Sequence, residues 1–319
     1  MSNQNLLLSS VIKKQEKLNN WLGNSYFFNG SVSNPEFLVF FRVAIGILLS
    51  AHFISIWDDF ELLYGMNSLI PSDIQTAYSD NNFIGYDQIL NFIGRFVSSQ
   101  DSAILLFKFS YLILCASLCL GFFSRISALI LLVIQVSLAK SGYYFSYGVD
   151  FFSSMSLMYL ILMPADDYYS LRNLILKIKK KSELTPFRRL FQIHLSIAYG
   201  VSGFEKIIGY NWRNGESIWK AVHLPNFSND FNIDFNFLGE YSYLVVMIGW
   251  TTVIIELFYP LFINIKKTRK LWLWLTISMH LGIALTLNLY FFSAIMITWN
   301  LTNYYFTDKK EEKYEVAVG

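Results

Sequence analysis

Long apolar runs separated by short polar blocks set the rhythm of this 319-residue chain. The first run is Glu36–Trp57. Others follow at Ser102–Phe122, Ile126–Lys140, Tyr147–Met163, Leu190–Ile208 and Tyr241–Phe262. A helix that crosses a hydrocarbon core needs about 20 mostly apolar residues. Leu271–Phe306 is roughly twice that length, and at a rise of about 1.5 Å per residue it must cross twice, turning near Asn288–Tyr290. The pattern predicts an all-α, polytopic transmembrane bundle of about eight spans.

Two further stretches carry helical periodicity without spanning length. Over residues 3–22, Leu6, Leu7, Val11, Ile12, Leu18 and Trp21 recur with Lys13, Lys14 and Lys17 between them. This predicts an amphipathic helix on the cytoplasmic surface. Tyr86–Phe96, inside the connector 58–101, is expected at the interface.

The polar blocks orient the spans. Segments 1–35, Gly121–Arg125, 164–189, 263–270 and the tail hold nearly all the loop Lys and Arg. Connector 58–101 is acidic and 209–239 is mixed. Positive residues collect on the cytoplasmic side, so both termini are expected inside. The chain then divides into a basic cytoplasmic segment (1–35), a transmembrane domain (36–306) and a cytoplasmic tail (307–319) in a multi-pass protein of the cell (inner) membrane. The first 35 residues show no apolar core followed by a small-residue cleavage site, so the first span is expected to act as its own insertion signal.

Composition sharpens this picture. The chain is 54% hydrophobic and only 15% charged, against about 25% charged in soluble domains. The net charge of +2 sits in blocks beside apolar runs, which is topology and no nucleic-acid footprint. Cys115 and Cys119 are one helical turn apart, a spacing of packing residues rather than of a metal clip or redox pair. His52, His194, His223 and His280 form no H-x-x-H pair, so no metal is expected. A P-loop, a dinucleotide fingerprint and G-x-S-x-G are all missing.

Ionisable residues within the apolar runs need a partner or a role, because a charge in hydrocarbon costs several kcal/mol. Arg42 and Glu256 each lie about 10 Å in from the inner face at helical rise, and are expected to form a structural ion pair. Lys108, Asp150, Lys206 and His52 all fall in outer halves and are expected to line one cavity opening outward. Tyr199 and Trp212, with neighbouring tyrosines, suit either a flat ring or an interfacial belt. Lys206 ends a span within Tyr199–Gly215. It is either a snorkelling anchor or a base tuned by burial.

Three stretches together carry a resemblance. They are Phe41-Arg42-Val-Ala-Ile-Gly46 followed by Leu63-Tyr-Gly-Met-Asn-Ser-Leu-Ile-Pro71, then Tyr199–Gly215 with its Gly-x-x-Lys and Trp-x-x-Gly, and Glu256-Leu-Phe-Tyr-Pro leading through Lys266–Lys270 to His280-Leu-Gly-Ile. In order and spacing they resemble the HTTM (horizontally transferred transmembrane) domain family, related to vitamin K-dependent gamma-carboxylase, over about residues 35–306. The resemblance implies that Lys206 matches the carboxylase base acting on a vitamin K-like hydroquinone, with Trp212 and Gly215 behind it, and that His280 matches a later histidine. Lysine-to-tryptophan spacing is one residue longer here, and Tyr143–Phe145 holds no histidine where the carboxylase has one. No counterpart of the carboxylase's large extra-membrane domain is expected. In size the chain looks like the bacterial branch that includes the membrane protein needed to mature a sporulation-delaying peptide toxin, which implies work on a secreted peptide with an operon-encoded partner.

Three functions follow as expectations. One is a membrane-embedded enzyme in which Lys206, with His280, acts on a quinol-like lipid or a secreted peptide at the outer leaflet. Another is a non-catalytic membrane component that aids maturation or export of a secreted peptide. The third and plainest is a lipid-binding or structural membrane protein.

Overall fold

The computed structural model describes residues 34–65, 68–69, 84–177, 182–227, 230–231 and 233–306. The amphipathic segment expected over residues 3–22 and the tail 307–319 lie outside them. Among the described residues all regular structure is helical, and eight helices of 15 to 24 residues carry the fold. They are α1 (Glu36–Ser55), α2 (Gln100–Leu120), α3 (Ser124–Ser141), α4 (Gly148–Leu162), α5 (Thr185–Ile208), α6 (Ser242–Leu257), α7 (Arg269–Leu287) and α8 (Tyr290–Tyr304). Four of these, α1, α2, α3 and α7, are long and apolar enough to cross a membrane, while α4 and α6 are shorter apolar helices.

Each boundary has a local cause. Ser99 caps α2 by accepting from Ser102 N at 3.2 Å. Gly121, at φ +72°, ends α2 in the left-handed conformation that glycine tolerates. Pro186 sits in the first turn of α5, where its missing N–H is harmless. The long apolar run 271–306 breaks at Asn288, also left-handed at φ +54°, at the turn the sequence predicts.

The surface is inverted relative to a water-soluble bundle. Ile113, Ile197, Met247 and Leu271 are all more than half exposed. Meanwhile Gln135, Ser153, Thr276, Asn300 and Asn303 are buried. Apolar side chains on the outside with hydroxyls and amides between helices is the arrangement of a bundle solvated by lipid. Small residues admit close packing. A Cβ on Gly46 would lie 2.4 Å from Cys119 Sγ, so the cysteines, both free, fill the α1–α2 seam.

Helices α1–α4 pack together as one half and α5–α7 as another, and α8 lies between them, touching α1, α4, α5 and α7. This division overturns the expected Arg42–Glu256 pair. Arg42 instead donates to the carbonyls of Ala165 (2.6 Å), Tyr169 (2.8 Å) and Tyr168 (3.4 Å), stapling α1 to the turn after α4. Gly121 makes room for it, since a Cβ there would lie 2.6 Å from Arg42 Nη1. Equal depth along two helices says nothing about which faces meet.

Candidate functional site

The site is built where α5 and α6 cross. Gly203 permits the crossing, because a Cβ there would lie 2.3 Å from the backbone nitrogen of Leu257. Tyr199, Ser202, Gly203 and Lys206 fall on one face of α5 at helical spacing. The close approach brings Lys206 Nζ to 2.5 Å from Glu256 Oε2, and the amine also donates to Ser202 Oγ at 2.5 Å. The two charged side chains are 18% and 9% exposed, so the amine turns into the bundle rather than outward to headgroups.

The residues after Lys206 hold this arrangement in place. Trp212 lies with its ring centroid 5.1 Å from Lys206 Nζ, a cation–π distance. Its carbonyl abuts Gly249, where a Cβ would lie 2.5 Å away. Gly215, at φ +84°, then turns the chain against Val245. The Trp-x-x-Gly pattern is therefore a clamp of the loop after α5 onto α6. Beyond it, helix Glu216–His223 packs on α6. There an exposed contact with Lys220 at 2.6 Å holds the Glu216 carboxyl below its ordinary range. Asp230 fastens the same connector to the α7–α8 turn, accepting from Asn288 Nδ2 and from the Tyr290 hydroxyl, each at 3.0 Å.

About two turns inward from Lys206, Tyr199 and His280 meet, hydroxyl to Nε2 at 2.7 Å. Asn300 Nδ2 donates to the Tyr199 hydroxyl at 2.8 Å, and Tyr259 donates to Asn300 Oδ1 at 2.7 Å. With its oxygen accepting from Asn300, Tyr199 is placed to donate to His280 Nε2. That assignment puts the imidazole proton on Nδ1. His280 is 3% exposed, and its Nδ1 has no hydrogen-bond partner among the described residues.

The expected shared cavity of four outer-half residues is not what forms. Lys108 donates to the carbonyl of Trp57 at 2.8 Å and lies 5.0 Å from the Trp57 ring and 5.3 Å from Phe60. Asp150 accepts from Tyr147 N and from Gln135 Nε2, each at 3.0 Å, and Gln135 accepts from Tyr111 at 3.3 Å. His52 packs its ring 4.9 Å from Phe291. Lys108, Asp150 and His52 thus belong to the α1–α4 half. Lys206 belongs to the other, with Tyr199, Trp212, Glu256 and His280.

Three members escaped the sequence reading: Ser202, Tyr259 and Asn300. Tyr259 stood in the Glu256-Leu-Phe-Tyr-Pro stretch, and Asn300, fully buried, was a lone amide in an apolar run. An amide so placed seeks a partner across the helix interface. Among the described residues no group of three or more His, Cys, Asp or Glu could hold a metal ion. Comparison with family models, curated proteins and solved structures gave no match.

Proposed function

We propose that this chain is an HTTM-like membrane protein of eight spans with both termini inside, and that the α5–α6 crossing is the centre of a proton-transfer enzyme acting on a quinol-like lipid. One observation carries the reading: a lysine–carboxylate pair and, about two turns away along α5, a tyrosine–histidine pair lie in the α5–α7 half. Intramembrane ionisable groups are rare and mark pathways or reaction centres.

The geometry changes the role expected of Lys206. As an ammonium it has three donors and no acceptor, and two of those donors already serve Ser202 and Glu256. The group that can accept a proton is Glu256. A bound quinol supplies a ring hydroxyl. Glu256 takes the proton, and Lys206 Nζ keeps its positive charge beside the oxygen that loses it. The unpartnered Nδ1 of His280 and the ring of Trp212 over Lys206 suit a flat, polar-edged molecule. At the outer end of α5 the pair also lies on the side a secreted peptide would reach.

The test uses the full chain purified in nanodiscs. Mass spectrometry of copurifying lipids and peptides identifies the substrate, and turnover is then compared in Lys206→Ala and Glu256→Gln. Both variants are expected to bind the same lipid and lose at least about 100-fold in rate, the low end for a positioned acid or base. Full turnover in either would favour the non-catalytic reading, in which the pair only locks α5 to α6.

A further inference from the structure

We propose that the inner end of the α5–α6 seam binds an anionic phospholipid of the bilayer, its phosphate on the basic turn Lys266–Lys270 and one acyl chain in a groove beside Pro260. The inference rests on the membrane reading above but not on catalysis at Glu256.

The groove has a volume of about 400 Å³. Ile193, Ile197 and Val201 form its wall, each about half exposed and one turn apart on α5. Gly200 lies at its base, where a Cβ would approach Pro260 to 3.0 Å. From Ile193 to Val201 the wall runs about 12 Å at helical rise. One leaflet offers roughly 15 Å of hydrocarbon, so the groove matches most of one chain's depth. Asn264 closes its inner end, held by the Pro260 carbonyl at 2.7 Å and Ser196 Oγ at 3.4 Å.

Two residues beyond Asn264 the basic turn begins. Its backbone is tied down. Thr268 donates to the Phe262 carbonyl at 2.7 Å, and Arg269 Nε donates to the Ile263 carbonyl at 3.2 Å. Lys266, Lys267 and Lys270 are exposed, and no ion pair to an acidic side chain engages them among the described residues. Cations at headgroup level, just beyond the end of an open apolar groove, are complementary to a lipid with a negative headgroup. A second copy seated on the same seam would bring its own basic turn to the same membrane level, where like charges repel.

Native mass spectrometry of the full chain, extracted from vesicles of equimolar phosphatidylcholine and phosphatidylglycerol, tests this. The wild type is expected to retain phosphatidylglycerol preferentially. Lys266→Gln/Lys267→Gln/Lys270→Gln is expected to erase that preference, each lysine contributing up to roughly fivefold. Ile197→Trp/Val201→Trp, at exposed positions that leave folding intact, is expected to cut retained phosphatidylglycerol about tenfold by filling the groove. Equal retention of the two lipids by the wild type would overturn the proposal and leave the membrane reading standing. So would an unchanged preference in the triple-glutamine variant, or a protein dimer in place of the lipid adduct. A chain that retains neither lipid and stays soluble without detergent would sink both.

Discussion

Each half of the bundle holds a carboxylate and a lysine, one of them buried and the other half-buried, and the two halves use them in opposite ways. In the α1–α4 half, Asp150 spends both oxygens on its neighbours, one on the Tyr147 amide that starts α4 and one on Gln135. Lys108 is likewise absorbed by a backbone carbonyl and two ring faces. In the α5–α7 half, Lys206 and Glu256 face each other, and only one Glu256 oxygen has a protein partner among the described residues. About two turns inward, His280 keeps a nitrogen without a partner among the described residues. A buried charge alone therefore does not mark a site. Unpartnered buried atoms occur in the first half as well, Arg42 Nε and Ser153 Oγ among them. What distinguishes the second cluster is that its lysine and carboxylate face each other, with one carboxylate oxygen left over among the described residues.

Substitutions can break or sharpen that contrast. The largest effect is expected from Glu256→Ala, which strands Lys206 and should destabilise by about 3 kcal/mol. The double variant with Lys206→Met should recover most of that loss, and a double-mutant cycle from thermal unfolding reads the coupling. Next comes Gly203→Ala. Its methyl would strike the backbone of Leu257 and should cost about 2 kcal/mol by prising α5 from α6. Gly282→Ala on α7 meets nothing within 4 Å and should be neutral or stabilising by up to ~1 kcal/mol. Equal effects at the two glycines would deny the crossing its special closeness. The smallest effect is expected from Asp150→Asn, about 1 kcal/mol for a weakened cap. It should leave any activity of the α5–α7 half intact.

The fold was legible because hydropathy reports it directly. The seven predicted runs, the last broken in two at Asn288, coincide with the eight long helices, four of which are long and apolar enough to cross a membrane. The start of α5 was misplaced because Arg188 and Arg189 looked like loop charges. They are buried inside the helix, and Arg188 donates to the Asn303 carbonyl at 3.0 Å. The site was legible only in part. Lys206, Tyr199, Trp212 and His280 do come together, with Glu256 as an unforeseen partner of Lys206. Arg42, Lys108, His52 and Asp150 lie elsewhere. Sequence position fixes a residue's depth in a span, whereas partnership depends on the rotation of each helix and on which glycines let helices close. The role of Gly203 emerges only once Leu257 is seen against it.

The central claim is that leftover capacity at the Lys206–Glu256 pair is chemical. The most direct measurement is oxidation of a naphthoquinol under air, above the rate without protein, by the full chain in nanodiscs, in wild type, Glu256→Gln and Asp150→Asn. The anion that Glu256 generates passes two electrons to dioxygen, giving the quinone and hydrogen peroxide. The account predicts turnover in wild type and Asp150→Asn and at least about a 100-fold loss in Glu256→Gln. Undiminished turnover in Glu256→Gln, or an equal loss in both variants, would contradict it.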